Sequence, residues 1–130
     1  MYRKSYIEIS NNIEVEVRPA YLEDRSEILR RKHLFVYFIT IRNRGAVQVQ
    51  LLNRHWEIED SAGETYEVDG DGVIGKKPYI GPGEKFEYNS SCMLKSHRGK
   101  MKGYYIMKNE NREKIKVVIP EFTLTSHRLN

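Results

Sequence analysis

Along most of the chain apolar and polar residues alternate with a period of two, the pattern of strands with one face buried. Ile13, Val15 and Val17 fall on one side of an extended segment, and Glu14 and Glu16 fall on the other. Residues 34–41 are instead aromatic and β-branched almost throughout, which predicts a central strand covered on both faces. Residues 47–59 form a long extended segment carrying Leu51, Leu52, Trp56 and Ile58. Its two adjacent leucines break the alternation and predict a bulge or a crossing between sheets. Shorter strands are expected over 65–68, 85–89, 91–95, 102–108 and 114–119, with a 122–124 run pairing at an edge.

Turn chemistry separates these segments: Asn43-Arg44-Gly45, Ala62-Gly63, Gly81-Pro82-Gly83 and the polar run 109–112. Residues 22–31 carry a weak stripe of Leu22, Ile28 and Leu29, and read as a loop with at most one turn of helix. The first eleven residues read as a lead-in with the makings of an edge strand. Many short strands at this spacing, with no convincing helix, predict an all-β sandwich of immunoglobulin or fibronectin type III style, of about seven to nine antiparallel strands. No linker, repeat or low-complexity stretch divides the 130 residues, so one domain is expected.

Composition adds limits more than leads. The chain holds 22 Lys and Arg against 18 Asp and Glu, a formal +4, but the basic residues fall in small groups with acids between them. Such scatter fits a solvated surface better than a nucleic-acid footprint, and no nucleic-acid partner is expected. No apolar stretch is long enough to cross a bilayer and the N-terminus has no secretory pattern, so no membrane insertion is expected. One cysteine, Cys92, can form no internal disulfide, which suits a reducing, cytoplasmic setting.

The sharpest local motif is Gly70-Asp71-Gly72-Val73-Ile74-Gly75, a G-x-G-x-x-G followed by Lys76 and Lys77. In phosphate-binding folds such glycines let the backbone approach the anion, and a following helix supplies free N–H groups. Here Pro78 and Gly81-Pro82-Gly83 forbid that helix. Two readings stay open: a backbone nest that takes an anion with help from Lys76 and Lys77, or a connection whose glycines only permit tight turns. The overlapping Glu67, Asp69 and Asp71 resemble half a calcium loop, but Pro78 stands where the bidentate Glu of an EF-hand would be needed.

No other constellation points to chemistry. His33, His55, His97 and His127 are far apart, and neither metal-ligand spacing nor a nucleophile elbow is present. Cys92 lies in an expected strand and reads as a small core or interface residue. Arg54-His55-Trp56 is the most unusual cluster: one strand puts Arg54 and Trp56 on one face and His55 on the other. Trp56 reads first as a core anchor, with an interface or anion contact as the alternative for the pair. No catalytic residue, metal site or cofactor is expected from these residues.

Taken together, the segments resemble the ApaG family (the ApaG, or DUF525, domain). The resemblance rests on Phe38-Ile39-Thr40-Ile41-Arg42-Asn43 with Gly45, on 49–56, on 67–75 with Pro78, and on Pro82-Gly83-Glu84 with Phe86 and Tyr88. Gly99, Met101, Gly103 and Tyr104, and then 119–124, continue it. The chain departs from the family pattern at Lys77, at Ser91-Cys92 and at 96–98. The resemblance implies a fibronectin type III-like sandwich and a protein- or ligand-recognition module with no established catalytic residues. It also implies an indirect link to cobalt and magnesium resistance or efflux, and a proposed pyrophosphate site at Gly70, Gly72 and Gly75. The expectation is therefore a non-catalytic interaction protein with a protein partner or homodimer through sheet edges. The alternative is a phosphate or nucleotide binder using the glycine loop.

Overall fold

The computed structural model describes residues 4–126, and His127 lies outside them. Among the described residues nine strands make two antiparallel sheets. The upper sheet has the order β1 (Tyr6–Ser10), β2 (Ile13–Tyr21), β3 (His33–Asn43) and β7 (Lys85–Leu94). The lower has the order β5 (Thr65–Asp71), β4 (Val49–Asp60), β8 (Arg98–Asn109) and β9 (Lys114–Thr125). A two-residue strand, β6 (Tyr79–Ile80), pairs with the start of β4. The all-β sandwich expected from the alternation is the fold observed.

The core lies between the inward faces: Val15, Val17, Phe35, Ile39 and Ile41 above, and Leu51, Trp56, Tyr105, Met107, Val117, Ile119, Phe122 and Leu124 below. The bulge predicted at Leu51-Leu52 is present, where β4 slips in register against β8 between Leu51 and Asn53. That slip explains how adjacent leucines coexist with alternation: the phase changes between them, and Leu51 is buried while Leu52 is half-buried.

Several boundaries differ from the sequence pattern. Residues 85–89 and 91–95 are one strand, β7, because Ser90 and Ser91 are small polar residues that an edge strand tolerates without turning. The 65–68 strand runs on through Gly70 to Asp71, since every residue from Thr65 to Asp71 finds a partner on β4. β3 is central, but only its inner face is fully covered, with Leu34, Val36 and Phe38 half-buried on the other side. Among the described residues no further sheet lies over that face. Part of it is sheltered by charge: Arg42 Nη1 reaches Glu14 at 2.6 Å and Glu16 at 2.9 Å, and Arg44 Nε reaches Glu14 at 2.8 Å. The bond from Arg44 leads in holding the Glu14 carboxyl below its ordinary pKa, against the opposing effect of burial. Residues 22–32 hold two single 3-10 turns, Glu23–Arg25 and Ile28–Arg30.

The 122–124 run is not a separate edge segment but the end of β9, which carries a bulge where Met101 pairs with Phe122 and Gly103 with Ile119. Pro120, which cannot donate to a ladder, sits in that irregularity. The free side of β9 is closed by the first strand. Ser10 Oγ accepts Val118 N–H at 2.8 Å, the Tyr6 hydroxyl accepts Thr123 N–H at 3.3 Å, and Asn11 Nδ2 donates to the Lys116 carbonyl at 2.6 Å.

Candidate functional site

Arg54, His55 and Trp56 lie on β4, an interior strand whose neighbours are β5 and β8. Alternation divides them as expected. Trp56 is 4% exposed and meets Tyr37 edge-on at 5.3 Å and Phe122 at 5.9 Å between ring centroids. It is a core anchor, held by aromatic packing from both sheets.

Arg54 points the same way, and its task is internal. Its Nη1 donates to the carbonyls of Asp71 at 3.0 Å and Gly72 at 2.8 Å. The residue opposite it on β5 is Gly70, and a Cβ there would lie 2.6 Å from the guanidinium carbon. The missing side chain at Gly70 thus makes room for the Arg54 guanidinium. Gly72 has φ +59 and its N–H donates to Leu52 O at the β4 bulge. Val73 and Lys76 exchange N–H···O bonds at 2.8 and 2.9 Å around Ile74 and Gly75, both at positive φ, which makes a tight two-residue turn. The glycine motif is therefore split between a strand and a hairpin turn. The amides of Gly72, Val73 and Lys76 are spent on the chain itself, while Lys76 and Lys77 stand exposed beside the turn.

His55 faces the other side, where the structure assembles a group that the sequence did not disclose. Its Nδ1 lies 2.6 Å from Asp69 Oδ1, and its Nε2 lies 3.6 Å from carboxylate oxygens of Glu57 and Glu67. The ring stacks on Tyr104 at 4.8 Å, and Lys116 Nζ sits 4.4 Å from the centroid of that tyrosine. The hydrogen bond to Asp69, and then the surrounding carboxylates, hold the imidazole above its ordinary pKa against some desolvation. A shallow hollow of about 440 Å³ adjoins this face, lined by Glu57, Glu59, Glu67, Lys100 and Lys102 among others. A signal for the His55–Asp69 pair was present: a hairpin turning at Ser61-Ala62-Gly63 sets 55 opposite 69. The carboxylates of the half calcium loop sit on a strand and already have partners, Asp69 with His55 and Asp71 with Asn53. No group of three or more His, Cys, Asp or Glu is arranged to hold a metal ion among the described residues. Cys92 faces inward on β7, and burial pushes its thiol up to about 11, far from a reactive thiolate.

A second feature lies at the side of the sandwich opposite β1 and β9. β7 is an edge strand of ten residues, and among the described residues its backbone is bonded only to β3. Beneath it the lower sheet ends in β5. Tyr66 and Val68 of β5 share the inward face with Ile58 and Trp56, yet they are 37% and 41% exposed.

A family model described as ApaG domain (DUF525) matches residues 23–109. Among curated relatives, Protein ApaG of Mesorhizobium japonicum is 44% identical over 119 residues, covering 92% of each chain. Protein ApaG of Nitrosomonas eutropha is 46% identical over 118 residues, covering 91% of this chain and 93% of its own. Among solved structures, the putative ApaA protein of Bordetella pertussis superposes with a TM-score of 0.86 at 36% identity, covering 95% of this chain and 97% of that one.

Proposed function

The chain belongs to the ApaG family, and from that premise we propose that it is a non-catalytic binding module that recognises a protein partner through the bare edge of β7. One observation supports this reading above the others. The β9 edge is closed by side chains of the first strand and of Asn11 just after it, whereas among the described residues the ten-residue edge of β7 offers its N–H and C=O groups with no cover. Exposed edges of this length invite pairing and are usually blunted where they have no use. Any part in cobalt or magnesium handling is then indirect, through the partner, and the setting is the cytoplasm.

The experiment is capture of the tagged protein from its native host under reducing conditions, followed by amide hydrogen exchange on the purified complex. A stoichiometric partner that slows exchange is the expected result. Its absence across growth with and without added Co²⁺ would remove the reading. A second reading, phosphate or pyrophosphate recognition at Gly70, Gly72 and Gly75, draws support from exposed Lys76 and Lys77 beside the turn. Titration with pyrophosphate should then shift the amides of Ile74, Gly75 and Lys77, and silence there would dismiss it.

A further inference from the structure

The two sheets are not in register across the sandwich. β9 lies beneath both β1 and β2, so the lower sheet is displaced sideways and its last strand, β5, emerges past β7. The displacement leaves a step. Its riser is the unpaired edge of β7, and its tread is the inward face of β5, with Tyr66 and Val68 partly exposed and Arg54 lying over Gly70 at the far end. On the closed side the corresponding positions of β9, Phe122 and Leu124, are buried under β1 and β2.

Resting on the binding-module reading, we propose that this step is a docking site for one extended strand of a partner protein. The strand adds to β7, continues the upper sheet by one position, and covers β5 from above. The tread runs the seven residues from Thr65 to Asp71, so the occupant is about seven residues long, roughly 23 Å of strand. Its inward positions are apolar, at every second residue, to meet Val68 and Tyr66. Its outward positions continue the row Lys85, Glu87, Asn89, Ser91 and Met93, which is mostly polar.

A second copy of the chain fits poorly, although its β7 is the same kind of edge. Laid edge to edge, each copy would bring its own protruding β5 beneath the other's β7, into space already held by β4 and β5. The overhang admits a lone strand and obstructs a sandwich. The uncovered apolar surface, two side chains, is also small against the 1,200–2,000 Å² or so that a stable globular interface buries, and suits main-chain pairing with a short segment.

The test uses a displayed library of nine-residue peptides selected on the intact protein, with the selected peptides mapped by amide hydrogen exchange and chemical shift. The expected winners alternate apolar and polar residues, slow exchange along 85–93 and shift Tyr66 and Val68. Val68→Lys, at a position already 41% exposed, should keep the fold and weaken those peptides by about tenfold or more, and Val68→Leu should restore them. Peptides that protect 85–93 yet bind Val68→Lys equally well would overturn the step as the site while leaving recognition through the β7 edge intact, and peptides that protect another surface would overturn both. A library that yields no binder would overturn the peptide occupant. Sedimentation of the chain alone should show a monomer, and a concentration-dependent dimer that protects β7 would assign the step to a second copy instead.

Discussion

The two long strands that end the sheets, β7 and β9, have opposite surroundings. β9 has its inward residues buried and its outer main chain bonded to Tyr6, Ser10 and Asn11. β7 has ten residues of unpaired edge and a neighbour, β5, whose inward side chains reach solvent. A fold that closes one side with three separate side-chain bonds has the means to close an edge. The open side is therefore a property of where the sheets sit and not of a shortage of polar side chains.

Matched truncations should break or sharpen that contrast. Phe122→Ala on the closed side removes a buried ring that packs on Tyr6, Tyr37 and Trp56, and should cost about 3–5 kcal/mol in urea unfolding. Val68→Ala, an inward position on the open side, should cost under about 1 kcal/mol because much of that side chain never left water. Equal costs would mean that β5 is covered in solution. Between these lies Gly70→Ala. Its new methyl group displaces the Arg54 guanidinium from two carbonyls, with an expected loss of about 1–3 kcal/mol and faster exchange of the amides of Gly72 and Val73.

Smaller effects test the edges directly. Ser10→Ala leaves the Val118 N–H without its acceptor, and should cost about 0.5–1.5 kcal/mol while exchange at Val118 rises and β7 is unchanged. The smallest effect is set by pH. His55 is held above its ordinary value of 6.5, so its protonated form favours the folded pairing of β4 with β5. That contribution is complete below 6.5 and fades as pH rises through the elevated folded value. Exchange in β5, corrected for its intrinsic pH dependence, should therefore quicken across that range in the native chain and not in His55→Gln.

Much of the fold was legible because burial imposes a period on one strand at a time. The inward positions of β2, the bulge at Leu51-Leu52 and the anchoring role of Trp56 all follow from local pattern. Relations between strands were less accessible. The seat of Arg54 over Gly70, the carboxylates around His55 and the sealing of β9 depend on register and on which sheet lies above which. Alternation carries no information on either. The glycine motif was ambiguous for a related reason: a glycine reports that space or positive φ is needed, and only register shows that Arg54 fills the space at Gly70 while Gly72 and Gly75 serve the turn.

The bonds from the first strand to the last join residues 105, 108 and 117 positions apart. On a ribosome, Tyr6, Ser10 and Asn11 emerge more than a hundred residues before the strand they serve. Until then β8 is itself an unguarded border, and closure of that flank has to wait for β9. A chain stalled before residue 114 would carry the open edge of β8 in addition to that of β7, and it is at that stage that the molecule most needs a chaperone.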